Sequence, residues 1–368
     1  MRRLLSNMTL ALTVFMMMLL LAEGSWRLFI AKGDLGREFD PVLGRINPRH
    51  AAWTIRTTEF RTAMRTNADG FRGPSLEAGQ RQPGEIRILF IGDSFLEAKQ
   101  VPEEGRFAER TEVLLEEKLH RPVTVRALGM GGAEPARELL FYRHLGRSFD
   151  PDIVVQVIFP ENDLLAMTGS YRFHEDAQGA LALEDVWVNP PPACHWKCAL
   201  LQRSEIAVWA YRLIRRFHET PSADPLLGDF GVYTEAGQQA LAREGRFTAT
   251  AAIVSALRDD VERDHGRFLA VLMPGAFEIH AVWREEIERR YTETDSTVWW
   301  PSRVVDLFRD ALRKRDIAVV DLRPPFLEYE TVHPDAFLYH RLDPHLNPTG
   351  HAITASALAD RLSPLFSP

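Results

Sequence analysis

Cysteine is scarce: Cys194 and Cys198 are the only two in 368 residues. That excludes a disulfide-dense secreted scaffold and a four-cysteine zinc site. In Cys194-His195-Trp196-Lys197-Cys198 the two thiols and His195 fall short of four ligands, and the order is not that of a haem-attachment motif. A local disulfide between Cys194 and Cys198 is the favoured reading in an oxidising compartment, with free thiols next; either would say nothing of catalysis. No metal and no cofactor are expected. Excess positive charge is also missing. Lys and Arg number 44 against 51 Asp and Glu, a net charge of −7, which argues against nucleic acid as a partner. There is no run of like charge, no internal repeat and no low-complexity tract. The remainder, 45% hydrophobic and 26% charged, is an ordinary globular composition, long enough for one large or two medium domains.

One long apolar run stands out. Arg2 and Arg3 precede nineteen residues without a charge, Leu4 to Ala22. As a helix they would span about 28 Å, close to the hydrocarbon thickness of a bilayer. The leading arginines keep the N-terminus cytoplasmic and send the rest across. Ala22-Glu23-Gly24 would serve as a cleavage site, but the run is long and Trp26-Arg27-Leu28-Phe29-Ile30 reads as its interfacial continuation. An uncleaved, single-pass anchor over residues 1–32 in the inner (cytoplasmic) membrane is therefore expected, with the rest extracytoplasmic.

Residues 33–84 form a lead-in rich in Arg and Pro, with strong turn chemistry in Asn67-Ala68-Asp69-Gly70. From Glu85 a rhythm begins. Strands are expected at 85–91, 123–127, 153–159, 267–273 and 317–322. Helices are expected at 106–119, 134–145, 237–265, 302–314 and from Pro348 to about Leu362. Residues 167–236, with Pro190-Pro191-Pro192 and the two cysteines, break the alternation and read as an insertion forming a lid or partner surface. The strands are nearly continuous runs of Val, Ile and Leu. The expected fold is α/β: three layers, doubly wound around a mostly parallel sheet, over residues 85–366.

Sites in such sheets lie at the carboxyl ends of the strands. Three strands deliver polar groups there: Gly92-Asp93-Ser94 after the first, Gly129 after the second, Asn162 after the third. Asp343-Pro344-His345 adds a carboxylate and an imidazole. A serine hydroxyl becomes a nucleophile when a base takes its proton and a third group orients that base. Serine-dependent acyl transfer is the chemistry these residue types suggest. Each has a bland alternative: a turn and helix cap at Gly92-Asp93-Ser94, a cap at Asn162, and a cap before the last helix at His345. His340 and His351 are rival bases, and Asp163 is expected to bond local backbone.

Gly92-Asp93-Ser94-Phe95, Gly129, Asn162 and Asp343-x-His345 resemble the four blocks of the SGNH superfamily, the GDSL esterases and lipases, in that family's order. The resemblance covers about residues 85 to 365. With the anchor and the Asn67-x-x-Gly70-Phe71-Arg72 lead-in, the chain looks like a membrane-tethered bacterial subgroup. The resemblance implies Ser94 as nucleophile, His345 as base, Asp343 as its orienting carboxylate, and an oxyanion hole of the Ser94 and Gly129 N–H groups and the Asn162 amide. Two departures are visible: Ala127 stands where the family often has Asn, and Gly131 competes with Gly129 as donor. An esterase acting on acylated small molecules or glycans is expected, with the O-acetyl groups of a glycan as one candidate target. The alternatives are an O-acyltransferase on exopolysaccharide or cell wall with the same residues, and a non-catalytic subunit of a membrane complex that keeps the fold.

Overall fold

The computed structural model describes residues 2–25, 37–40, 42–77, 79–164, 171–175, 181–186, 231–285 and 301–367. The apolar run forms helix α1 (Arg2–Ser25). Its stretch Asn7–Ser25, with mean hydropathy 1.7, is long and apolar enough to cross a membrane. The lead-in is more ordered than its turn-rich composition suggests. It holds two antiparallel hairpins, β1 (Glu38–Asp40) with β2 (Gly44–Ile46), and β3 (Ala52–Arg56) with β4 (Arg61–Arg65). Thr57 closes the second by accepting from the N–H groups of Glu59 and Phe60. The Asn67 turn forms as its chemistry dictates: Oδ1 accepts from Asp69 and Phe71 N–H, and Gly70 takes φ 80°.

The alternating part begins with β5 (Ile86–Gly92) and the single turn α2 (Ser94–Glu97). It continues through α3 (Phe107–Leu119), β6 (Val123–Gly129), α4 (Pro135–His144), β7 (Ile153–Ile158) and the turn α5 (Pro160–Asp163). A hairpin comes next, β8 (Tyr171–Glu175) with β9 (Leu181–Val186). It is the described part of the expected insertion's interior; Cys194 and Cys198 lie outside the described residues. Then come α6 (Glu235–Arg243), α7 (Arg246–Arg263), β10 (Arg267–Leu272), the turn α8 (Ala276–Ile279), α9 (Pro301–Arg313), β11 (Val319–Asp321), α10 (Arg323–Val332) and α11 (Pro348–Phe366).

Two expectations change. The single helix at 237–265 is two, because Gly245 adopts φ 67°, a left-handed conformation that ends α6 and starts α7. Helix α10 has no counterpart in the sequence reading. Its two prolines lie in the first helical turn, where proline is well tolerated.

The central sheet is parallel throughout, in the order β11-β10-β7-β5-β6. Side chains of β5 alternate between its faces: Leu89 and Ile91 join one core with α4, α7 and α9, while Ile88 and Phe90 join the other with α3 and α11. Leu43, Ile46, Phe71 and Leu76 of the lead-in sit in the first of these cores. After β5 the chain turns to β6 on one side and to β7 on the other. The carboxyl end of β5, where Ser94 stands, is thus the topological switch point, the place where such folds open a crevice.

One buried group makes stability depend on pH. Glu138 on α4 is wholly buried, with Oε2 accepting from Gln156 Nε2 at 2.7 Å. Burial pushes its carboxyl up to about 8, against the pull of that hydrogen bond and with the push of Asp93. A pKa raised above its unfolded value contributes stability at low pH that is lost as pH rises through the folded value. Glu138→Gln should therefore gain on the parent between about pH 5 and pH 8, by at most about 1.4 kcal/mol per unit. Thermal melts of both proteins across that range check it; parallel curves would refute it.

Candidate active site

The nucleophile turn follows from local chemistry. Gly92 is obligatory, since a Cβ there would stand 2.9 Å from the Val157 carbonyl oxygen on β7. Asp93 caps α2 by accepting from Phe95 N–H at 2.9 Å. Ala98, at φ 50°, ends the turn by donating its N–H to Ser94 O. Ser94 is left at the first position of α2, partly exposed.

His345 meets it from 251 positions along the chain. Nε2 lies 2.7 Å from Ser94 Oγ, and Nδ1 lies 2.5 Å from Asp343 Oδ1. Asp343 also accepts from its neighbour's backbone, His345 N–H, at 3.1 Å, and from Gln100 Nε2 at 3.1 and 3.2 Å. Burial pushes the Asp343 carboxyl up. The hydrogen bond and charge of His345, with the Gln100 donor, outweigh this and hold it below the usual carboxylate range. The imidazole packs against Phe95, whose ring also meets Phe159.

The loop that carries His345 is pinned at both ends. Tyr339 and Leu346 form a bridge, His340 N–H donates to His345 O, and Asn347 caps α11 while its Nδ2 donates to Phe337 O. The rival bases are elsewhere. His351 is buried inside α11, where Nδ1 accepts from Phe107 N–H and burial lowers its pKa to about 3, helped by Arg106 and Arg72. His340 stacks beside Phe60.

Asn162 on α5 donates from Nδ2 to Asp93 Oδ2 at 2.9 Å, which fixes the amide beside the turn. Asp163 bonds local backbone as expected: Oδ2 accepts from Phe159 N–H. Gly129 is placed differently from the expectation. It pairs with Gly92 in the sheet and lies under α2, where a Cβ would come 2.5 Å from Glu97 N. The glycine beside the serine is Gly131, whose missing Cβ position is 3.7 Å from Ser94 Cβ; its N–H donates to Glu97 Oε2 at 2.8 Å. Gly132, at φ 72°, is exposed with open space beside it.

Beneath the turn lie Asp93, Glu138 and Asp163, all fully buried. Burial raises each carboxyl above its usual range, and the charge of neighbouring carboxylates adds to this, Glu97 for Asp93 and Asp93 for the other two. Raised pKa values disfavour negative charge under the place where an oxyanion would form. Among the described residues no group of three or more His, Cys, Asp or Glu is arranged to hold a metal.

Several positioning groups lie in the lead-in; of them only Arg72 belongs to a motif noted in the sequence. Arg72, 1% exposed, donates to the carbonyls of Glu97, Ala98 and Val101 at the end of the nucleophile turn. Asn47 Nδ2 donates to Glu97 Oε1 at 2.7 Å. Glu59 reaches the acid–base loop, accepting from Arg341 N–H at 2.6 Å and Leu342 N–H at 2.8 Å. Nothing in the sequence marks it beyond its acidic character. Two N–H groups lost from one carboxylate should let the Asp343 loop drift. Glu59→Ala is expected to lower turnover of any ester substrate about tenfold with little change in KM, and Glu59→Gln to recover part of it. A fall in melting temperature with unchanged turnover would refute this role.

Residues 232–367 match the family described as SGNH hydrolase-like domain, acetyltransferase AlgX. That segment includes Asp343 and His345. No curated protein matches the chain. Among solved structures, the acetyl xylan esterase AlAXEase is similar at 15% identity and TM-score 0.42, over 75% of this chain and 100% of its own. The lipase Lip_vut3 from a goat rumen metagenome is similar at 12% and 0.41, over 75% and 96%. Axe2, an acetylxylan esterase from Geobacillus stearothermophilus, is similar at 12% and 0.40, over 75% and 94%. The family match covers the C-terminal part of the chain, residues 232–367, and the parallel sheet flanked by helices on both faces is the α/β architecture expected from the sequence.

Proposed function

We propose that the chain is a serine-dependent acyl ester hydrolase, tethered to the membrane by α1, that removes O-acyl groups from a glycan on the extracytoplasmic side. The observation that carries this reading is the continuous hydrogen-bonded line from Ser94 Oγ through both His345 nitrogens to Asp343. In the reaction, Oγ attacks the ester carbonyl and gives its proton to His345 Nε2. The Asp343 carboxylate, ionised well into the acid range, holds Nδ1–H and stabilises the imidazolium. The imidazolium then protonates the leaving alcohol. Water, deprotonated by the same histidine, releases the acid from Ser94.

The tetrahedral oxyanion needs donors placed in advance, each contributing about 3 kcal/mol. Ser94 N–H and the second N–H of the Asn162 amide are assigned to it. The first N–H of that amide is held by Asp93, which fixes the direction of the second. Gly129 is not assigned, because it packs under α2; Gly132 N–H is the candidate from that glycine run.

A second reading is favoured by one finding. The matched family is described by an acetyltransferase. The same residues perform transfer when an acceptor alcohol, not water, attacks the acyl-enzyme. Hydrolysis and transfer separate when acetyl transfer to an added oligosaccharide is measured against release of free acetate.

The test of the common step uses the full-length chain in detergent with a fluorophosphonate probe. One adduct is expected by intact mass on the parent and none on Ser94→Ala, and turnover of aryl acetates should fall at least about a thousandfold in Ser94→Ala and His345→Ala. A folded parent that takes no adduct and hydrolyses no ester would refute the reading.

A further inference from the structure

The roles assigned above leave one charged group at the mouth of the site unused. Arg37, in the lead-in just before β1, is exposed. Its Nη2 lies 3.1 Å from the point where a Cβ on Gly131 would stand, and Ser94 Cβ lies 3.7 Å from the same point. The guanidinium comes beside the nucleophile because residue 131 has no side chain.

The nearest carboxylate does not claim it. Glu97 Oε2, 2.8 Å from that same point, accepts from Gly131 N–H, and Oε1 is taken by Asn47 Nδ2 at 2.7 Å and Lys99 Nζ at 3.4 Å. Among the described residues Arg37 forms no ion pair. Five donors in a fork suited to carboxylate thus face the crevice.

The side on which Arg37 stands matters. His345 has to face the leaving oxygen, and its loop, with Leu346, packs in the core shared with α3 and α11. Gly131 is flanked by Met130 and Ala133, which pack in the opposite core with α4. The Arg37 guanidinium thus meets Ser94 beside the glycine run after β6, not beside the His345 loop.

We propose that Arg37 binds a carboxylate carried by the acyl group, so that the preferred substrate is the half ester of a short dicarboxylic acid, such as a succinyl ester. The far carboxylate of a succinyl group sits about 4 Å beyond the ester carbonyl carbon, a reach that fits the short separation of Arg37 from the serine. The proposal rests on Ser94 as the nucleophile. Ser94 Oγ bonds to the carbonyl carbon next to the ester, the alcohol leaves with the proton held by His345, and water releases the dicarboxylic acid, while the distal carboxylate stays on Arg37 unreacted.

The test compares three esters on the full-length chain in detergent: phenyl acetate, monophenyl succinate, and 3-acetoxybenzoate, which carries its carboxylate on the alcohol side. The parent is expected to prefer monophenyl succinate over phenyl acetate in kcat/KM. Arg37→Ala should cut that ratio about tenfold to a hundredfold, the size of a lost charge-assisted contact, and Arg37→Lys should keep part of it. An unmoved ratio, or a ratio that moves only for 3-acetoxybenzoate, overturns the proposal. Calorimetry separates this from the catalytic reading. Ser94→Ala should bind monophenyl succinate, and the double variant with Arg37→Ala should not. If the parent takes no fluorophosphonate, the hydrolase reading fails and the calorimetric pair alone still decides whether Arg37 holds the carboxylate; equal binding by both variants, or binding by neither, overturns it.

Discussion

The guanidinium of Arg72 is the interaction on which the site depends. It comes from the lead-in, is almost wholly buried, and donates to three carbonyls in the segment that ends the nucleophile turn. Burial, with the nearby Arg106, lowers its pKa to about 10, so the group stays charged at any physiological pH. Carbonyls at the end of a one-turn helix have no intrahelical partners. Left unpaired and buried, each would cost about 1 to 3 kcal/mol. Arg72 satisfies them and thereby fixes Glu97, which in turn holds Asn47 and the Gly131 N–H. The position of Ser94 is the sum of these contacts, most of which are side chain to backbone.

A similar constraint governs charge. A site that must stabilise an oxyanion is built over three buried carboxyls, Asp93, Glu138 and Asp163. Their pKa values are raised by burial, which disfavours negative charge under the serine. Asp343 is the contrast. It is less buried and meets an imidazole, a backbone N–H and a glutamine amide, and it is held in the ionised form. Environment, not residue type, pushes three of these carboxyls up and holds the fourth down.

The lead-in, set apart from the sheet in sequence, shares its core and its site. Phe71 meets Phe141 of α4 edge-on, Glu59 holds the loop of the acid–base pair, and Arg37 meets the serine beside the glycine run after β6. A segment that begins shortly after α1 therefore touches both halves of the crevice. On the proposed reading, the tether and the chemistry are joined by the same stretch of chain.

Much of this was legible in sequence where the physics is local. Runs of Val, Ile and Leu between turn residues marked the five parallel strands, of which the central β5 and β7 are buried on both faces. Gly92-Asp93-Ser94 announced its own turn, because only glycine fits against Val157 and the aspartate caps the helical turn after it. Asp343 and His345, two residues apart, were readable as a pair. Gly245 as a helix break and α10 as a helix were not, since a left-handed glycine and a proline-initiated turn are decided by the groups that pack around them. Nor were the roles of Arg72, Glu59 and Gln100, which depend on partners far away in the chain, and Gly131 was legible only as a rival donor to Gly129. Residue order alone dictated the succession of strands and helices, the apolar terminal helix and the chemical kinds of group at the sheet's edge, because these arise from periodicity and turn chemistry within a few residues. Folding in three dimensions settled which glycine stands beside the serine, which histidine reaches it and which lead-in side chains brace it, because those are contacts between segments up to 251 positions apart, set by how two cores pack across one sheet.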